Sequence, residues 1–132
     1  MEKSLFDTVL EDYDINFKEY WRKAVREYKA PCYDGSMWLI GPSSYVFSFD
    51  GVRFAVNLQI RREKDLLLVS EGLVDELSDL SFVLITHQHD DHMCIPLMRL
   101  LKDTPIKWYL PYGTSAELVA RSCLKEENIV GL

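Results

Sequence analysis

Residues 82–92 read Phe-Val-Leu-Ile-Thr-His-Gln-His-Asp-Asp-His. The first four form a continuous apolar run, which suits a buried central strand. The remainder holds all three histidines of the chain, with two carboxylates among them. Neutral imidazole is the commonest nitrogen ligand for metals, and carboxylates complete borderline and hard cation sites. His87 and His89 are two residues apart, so in an extended segment their side chains point the same way and converge on one ion. Asp91 and His92 follow the expected turn of the chain and reach a second ion nearby. A solvated run after a strand, with Asp90 and Asp91 serving as helix caps, is the plainer alternative.

The chain leaves this segment through Cys94-Ile95-Pro96-Leu97-Met98-Arg99-Leu100-Leu101, which predicts a short helix with Pro96 in its first turn. A helix start beside the histidines favours a bound anion or hydroxide. Cys94, two residues past His92, reads as a small side chain packed on that helix, with a ligand role as the alternative.

Upstream, residues 2–29 have a helical pattern. Phe17, Tyr20, Trp21, Ala24, Val25 and Tyr28 recur every three or four positions, as a helix covering its own domain's core requires. Asn16 and Glu19 resemble a capping box. Pro31 and Asp34-Gly35 stop the helix and open a turn. Gly41-Pro42-Ser43-Ser44 reads as a loop leading into a hairpin built on Asp50-Gly51. In that hairpin Tyr45, Phe47 and Phe49 alternate with Val46 and Ser48, and Val52, Phe54, Val56 and Leu58 with Arg53, Ala55 and Asn57. The aromatic and aliphatic face is expected to pack inward.

Residues 59–65 form a charged connection. Leu66–Val69 is expected as a short strand and residues 71–77 as a helical turn. Residues 106–110 read as a strand stopped by Pro111. Thr114-Ser115-Ala116-Glu117 is a capping box for a helix running to about Glu126. Ile129-Val130-Gly131-Leu132 looks like the lead into a further apolar element.

The 132 residues amount to one domain. The hydrophobic share of 48% is enough for a core, and the formal net charge of −6 argues against a general nucleic-acid binder. The three cysteines, Cys32, Cys94 and Cys123, are odd in number and widely spaced. They suggest reduced thiols, and a cytoplasmic protein is the expectation. No signal peptide is evident, and no apolar run reaches the length of a membrane span.

At His87-x-His89-x-Asp91-His92 the chain resembles the metallo-β-lactamase superfamily, whose hallmark is this motif after a buried strand. Trp38-Leu39-Ile40-Gly41-Pro42-Ser43-Ser44 and the Asp50-Gly51 hairpin resemble the opening of its branch of lactonase-like and phospholipase-D-like hydrolases. The resemblance covers roughly residues 37–130. It implies an α+β fold, the first ββα half of an αββα sandwich. Residues 1–36 would be an N-terminal helical extension and residues 37–132 the N-terminal half of the domain.

By position the resemblance implies that His87 and His89 ligate a first metal, and Asp91 and His92 a second. It also implies a bridging water or hydroxide as nucleophile, with Asp91 orienting it or handling its proton. Zinc suits such a site, with manganese and iron as alternatives. The reaction class would be hydrolysis of an ester, lactone, amide or phosphodiester.

Two departures stand out. Asn57 stands where the family usually has an aspartate that supports the histidine loop; asparagine keeps the shape and hydrogen bonding of that residue and loses its charge. No histidine follows His92, so the ligands that the family takes from its second half are absent from these residues. Three readings follow. The chain is the N-terminal part of a hydrolase, incomplete by itself. Alternatively, two copies pair as a homo-oligomer over the apolar sheet face that the second half normally covers. A non-catalytic binding or scaffold protein with a vestigial motif is the third.

Overall fold

The computed structural model describes residues 2–30, 33–41, 43–60, 62–86 and 94–132. The architecture is α+β: an N-terminal helix, then a six-stranded sheet with helices between its later strands.

Helix α1 (Leu5–Lys29) runs unbroken for 25 residues. Its start is a capping box at Ser4, whose hydroxyl accepts from the Asp7 backbone while the Asp7 carboxylate returns to the Ser4 backbone. The Asn16–Glu19 pair expected to cap the helix lies inside it. Asn16 Nδ2 donates to the Asp12 carbonyl one turn back at 3.0 Å, so an uninterrupted apolar stripe overrides the local cap signal. Ala30, extended at φ −85° and ψ 126°, ends the helix, as the residue before a proline should.

Phe17, Trp21 and Tyr28 of α1 are buried, whereas Leu5, Phe6 and Val9 are exposed. The first two turns therefore gain nothing from packing and depend on the cap. Ser4→Ala is expected to cost these turns about 1 kcal/mol. Hydrogen exchange at residues 8–12 should accelerate accordingly, with the urea midpoint almost unchanged because the packed stripe begins only at Tyr13.

Strands β1 (Ser36–Gly41), β2 (Ser44–Phe49) and β3 (Val52–Val56) form an antiparallel meander. Gly41 pairs with Ser44, so the two ends of the expected loop at 41–44 belong to β1 and β2 themselves. Asp50 and Gly51 have φ of 50° and 77°, the two positive values a type I′ turn needs.

From β3 onward the sheet is parallel: β4 (Phe82–Leu84), β5 (Lys107–Leu110) and β6 (Ile129–Gly131) are added in sequence order. The C-terminal apolar stretch is thus the sixth strand. The crossovers carry α2 (Glu63–Val69) with α3 (Leu73–Leu77), then α4 (Ile95–Leu100), then α5 (Ser115–Cys123). Leu66–Val69 is therefore helical and not a strand. A four-residue apolar run cannot separate the two by period. Glu63 and Asp65 in the first turn, with Arg62 gripping Asp65 at 2.7 and 2.9 Å, tip it to helix. Helix α5 ends at Cys123, three residues before the expected stop, and a 3-10 turn at Glu126–Asn128 leads into β6.

Crossovers of one hand between strands added in one direction place their helices on one side of a sheet. The core agrees. Val46, Ala55, Val83 and Trp108 point to that side and join the buried residues of all five helices in one cluster. Further ties fix α1 there: Trp21 Nε1 donates to Glu76 Oε2 at 3.0 Å, and Arg53 donates to the carbonyls of Tyr28 and Lys29 at 2.7 and 2.9 Å. The Tyr28 hydroxyl donates to the Glu76 carbonyl, and burial pushes its phenol well above the ordinary value.

The aromatic face of the hairpin therefore does not pack inward. Tyr45, Phe47, Phe54 and Val56 are only half-buried and Phe49 is exposed. Alternation ranks the aromatic face inward, because the opposite face carries Ser44, Ser48 and Arg53, and packing against the helices reverses that ranking. The small residues Ala55, Ser44 and Ser48 allow close approach on the helical side.

Candidate metal-binding segment

Strands β3, β4 and β5 end at the same edge of the sheet, the edge where open α/β sheets hold their ligands. The histidine segment is reached from β4 at this edge. His87, His89, Asp91 and His92 themselves lie outside the described residues, as do Gln88, Asp90 and Met93. The structure describes both flanks, and both rest on the four buried residues that follow β3, Asn57 to Ile60.

On the upstream flank, Ile85 N donates to the Tyr109 carbonyl at 2.8 Å, extending the β4–β5 pairing by one step. Thr86 is then held by Asn57. Its backbone N–H and its hydroxyl both donate to Asn57 Oδ1, at 2.8 and 3.1 Å. Asn57 is itself fixed. Its N–H donates to the Leu84 carbonyl at 2.7 Å, and its carbonyl accepts from the Ser44 hydroxyl. Its φ of 52° is left-handed, a conformation that asparagine tolerates better than most residues. That backbone turns the Asn57 side chain back across the end of β4. The residue directly before His87 is thereby anchored by a buried side chain from the neighbouring strand.

On the downstream flank, Cys94 precedes α4 with extended backbone, and Pro96 sits in the first turn of the helix as expected. The Cys94 thiol lies 3.9 Å from the Ile60 carbonyl and packs partly against the core. This is the environment of a small core side chain. Leu97 and Met98 are fully buried behind it. Thr86 and Cys94, the described residues on either side of this segment, thus both contact the buried stretch that follows β3.

Among the described residues, no group of three or more His, Cys, Asp or Glu side chains gathers in metal-binding array. The donors that suit a metal are the three imidazoles and two carboxylates of residues 87–92. Three nitrogens and a carboxylate oxygen match the chemistry of zinc, and also of iron or manganese.

Sequence reasoning singled out Asn57 for its identity but not for its contact with Thr86. It missed Ser44 and Gln59, both buried polar residues at this same edge. A Ser-Ser pair in a turn and a glutamine in a charged connection carry no signal of burial.

A recess between α1 and β1, lined by Tyr13, Phe17, Tyr20, Trp21, Leu39 and Ile40, offers aromatic and aliphatic walls and no metal-ligating side chain. No described helix is long and apolar enough to cross a membrane. No family model matches the chain, and no curated protein matches it.

Proposed function

We propose that this chain is a metal-dependent hydrolase of the metallo-β-lactamase type, carrying the first half of that fold's two-sheet sandwich. The observation that supports this most is the anchoring of the residues on either side of the histidine segment. Strand β4 leads toward it at the edge where open α/β sheets hold ligands, and Asn57 and Ile60 contact Thr86 and Cys94 on its two sides. Rigid support of this kind is what a metal site requires of its surroundings, because outer partners orient the ligands.

In this reading His87 and His89 hold one ion, and Asp91 and His92 contribute to a second. Zinc is the preferred metal. A bound divalent ion lowers the pKa of a coordinated water to about 7, which supplies hydroxide at neutral pH. Asp91 would orient the attacking water or handle its proton. Thr86, locked by Asn57, sets the direction in which His87 leaves the strand. The substrate class is an ester, lactone, amide or phosphodiester. No histidine follows His92, so a di-metal site takes its remaining ligands from outside these residues, and the chain alone is expected to bind metal better than it turns over substrate. The free thiols of Cys94 and Cys123 fit a reducing compartment, and we place the protein in the cytoplasm.

Metal analysis of the purified chain after dialysis against zinc tests the reading. At least one equivalent per chain and a raised melting temperature are expected. A chain that retains no zinc, manganese or iron, and is stabilised by none of them, would instead be a binding or scaffold protein with a vestigial motif.

A further inference from the structure

All five helices cover one side of the sheet, and among the described residues no helix covers the other. That other side is apolar apart from Lys107 on β5. A row of rings crosses its middle: Phe47 stacks on Phe54 at 4.7 Å between centroids, Phe54 on Phe82 at 4.8 Å, and Phe82 meets the edge of Tyr109 at 5.6 Å. The register places Phe47, Phe54 and Phe82 directly opposite one another on adjacent strands, with Tyr109 one step along, opposite Leu84, and Lys107 opposite Phe82. Toward the β1 and hairpin rim, Leu39 and Phe49 are 65% and 68% exposed.

We propose that this face is the interface of a homodimer, two copies stacked sheet on sheet about a twofold axis. The inference stands apart from the metal reading, since no residue of the histidine segment enters it. Three observations carry it.

The first is size. Six strands ~4.8 Å apart, with about five residues of ~3.3 Å rise each, present a footprint on the order of 400 Å². Side-chain relief adds to that, so two such faces together bury on the order of 1,000 Å², the lower bound of a specific interface.

The second is charge. The protein carries a net charge of −6, yet no carboxylate stands among the paired residues of this face. Its one cation, Lys107, is turned to the β6 side, where Nζ donates to the Glu127 carbonyl and Asn128 Oδ1, each at 3.0 Å. Two copies of an acidic chain can therefore meet here without apposing acids, and a charge-depleted, aromatic centre is what interface cores share.

The third is preorganisation. The stacked rings already fix one another, so little side-chain entropy is lost on association. Both copies have the same twist, and sheets of equal twist pack aligned, at about −30°.

Sedimentation velocity of the full chain, with chelator present, tests the proposal. The expected species has twice the 15.4 kDa chain mass. Phe54→Asp, at the centre, should weaken the dimer by about 30-fold or more, the effect of a hot-spot loss. Leu39→Glu combined with Phe49→Glu puts charge on two side chains that are already mostly exposed, so it should yield a folded monomer with an unchanged circular dichroism spectrum. That rim pair decides the matter if Phe54→Asp does not fold. A wild-type chain that stays monomeric at high micromolar concentration overturns the proposal, and so does an open-ended series of larger species. A dimer that survives the rim pair places the interface elsewhere and overturns it equally.

Discussion

His89→Ala is expected to strip the chain of bound metal. Two imidazoles two residues apart form the nucleus of the proposed first site, and nothing in the described part of the protein can replace one of them, since all three histidines lie in residues 87–92. Losing an outer partner of a ligand costs a metal site ~10- to 100-fold in affinity, so losing a ligand should cost at least about 100-fold. The consequence for stability follows by mass action. With free zinc at about 100 times the wild-type dissociation constant, binding stabilises the fold by ~2.7 kcal/mol. A ~100-fold weaker site at the same zinc concentration retains only ~0.4 kcal/mol.

For a domain of this length the difference corresponds to several degrees in melting temperature. Metal content and the zinc-dependent melting shift should therefore fall together in His89→Ala, while the metal-free proteins melt alike. Equal zinc content in variant and wild type would break the ligand assignment. Gln88→Ala is the matched control: it alters the same segment without removing a donor imidazole, and its zinc content should stay at the wild-type level.

The contrast between what the sequence disclosed and what it hid follows from the range of each interaction. Phe82–Ile85 announced a central strand, and it lies between two parallel strands; Val83 and Ile85 are buried, while Phe82 and Leu84 are half-buried on the face no described helix covers. Asp50-Gly51 announced its turn because only a few residues accept two successive positive φ values. Thr114 announced a helix start, and its hydroxyl does accept from Glu117 N. The reciprocal half of that box goes elsewhere: the Glu117 carboxylate takes the Gly113 N–H at 2.7 Å. The Gly113 bond, with Arg121 in second place, holds the Glu117 carboxyl below its ordinary value.

The misreadings arose where long-range packing decided against the local reading. Leu66–Val69 is a helix because it closes a crossover over the core. The Tyr45–Phe47–Phe49 face lies open because the helices took the side with small residues. That side is where α1 lays Phe17, Trp21 and Tyr28. The histidine motif was legible as chemistry; Asn57 was tied to its loop only through the family resemblance, and the contact with Thr86 was not legible at all. A bond from Asn57 to Thr86 spans 29 positions in the sequence, and nothing local signals it.

That bond makes Asn57 the residue where fold and site meet, and Asn57→Ala carries the second large expected effect. The substitution removes the acceptor for both Thr86 donors while leaving the backbone bond to Leu84 in place. Each lost hydrogen bond costs ~1 kcal/mol. The φ of 52° adds further strain, because alanine lacks the polar side chain that lets asparagine occupy the left-handed region. The sum is about 2–3 kcal/mol, read as a lower urea midpoint at an unchanged slope. Asn57→Asp keeps both acceptor sites and tolerates the same φ, so it should stay within ~1 kcal/mol of wild type at neutral pH. A general loss of packing would lower stability and leave the metal affinity of the folded fraction intact. Anchoring of Thr86 predicts a different result: zinc binding by folded Asn57→Ala should weaken ~10- to 100-fold, as when an outer partner of a ligand is removed, with Asn57→Asp restoring it. If zinc affinity stays at the wild-type value in folded Asn57→Ala, the bond to Thr86 supports the sheet alone and the histidine segment is positioned by other means.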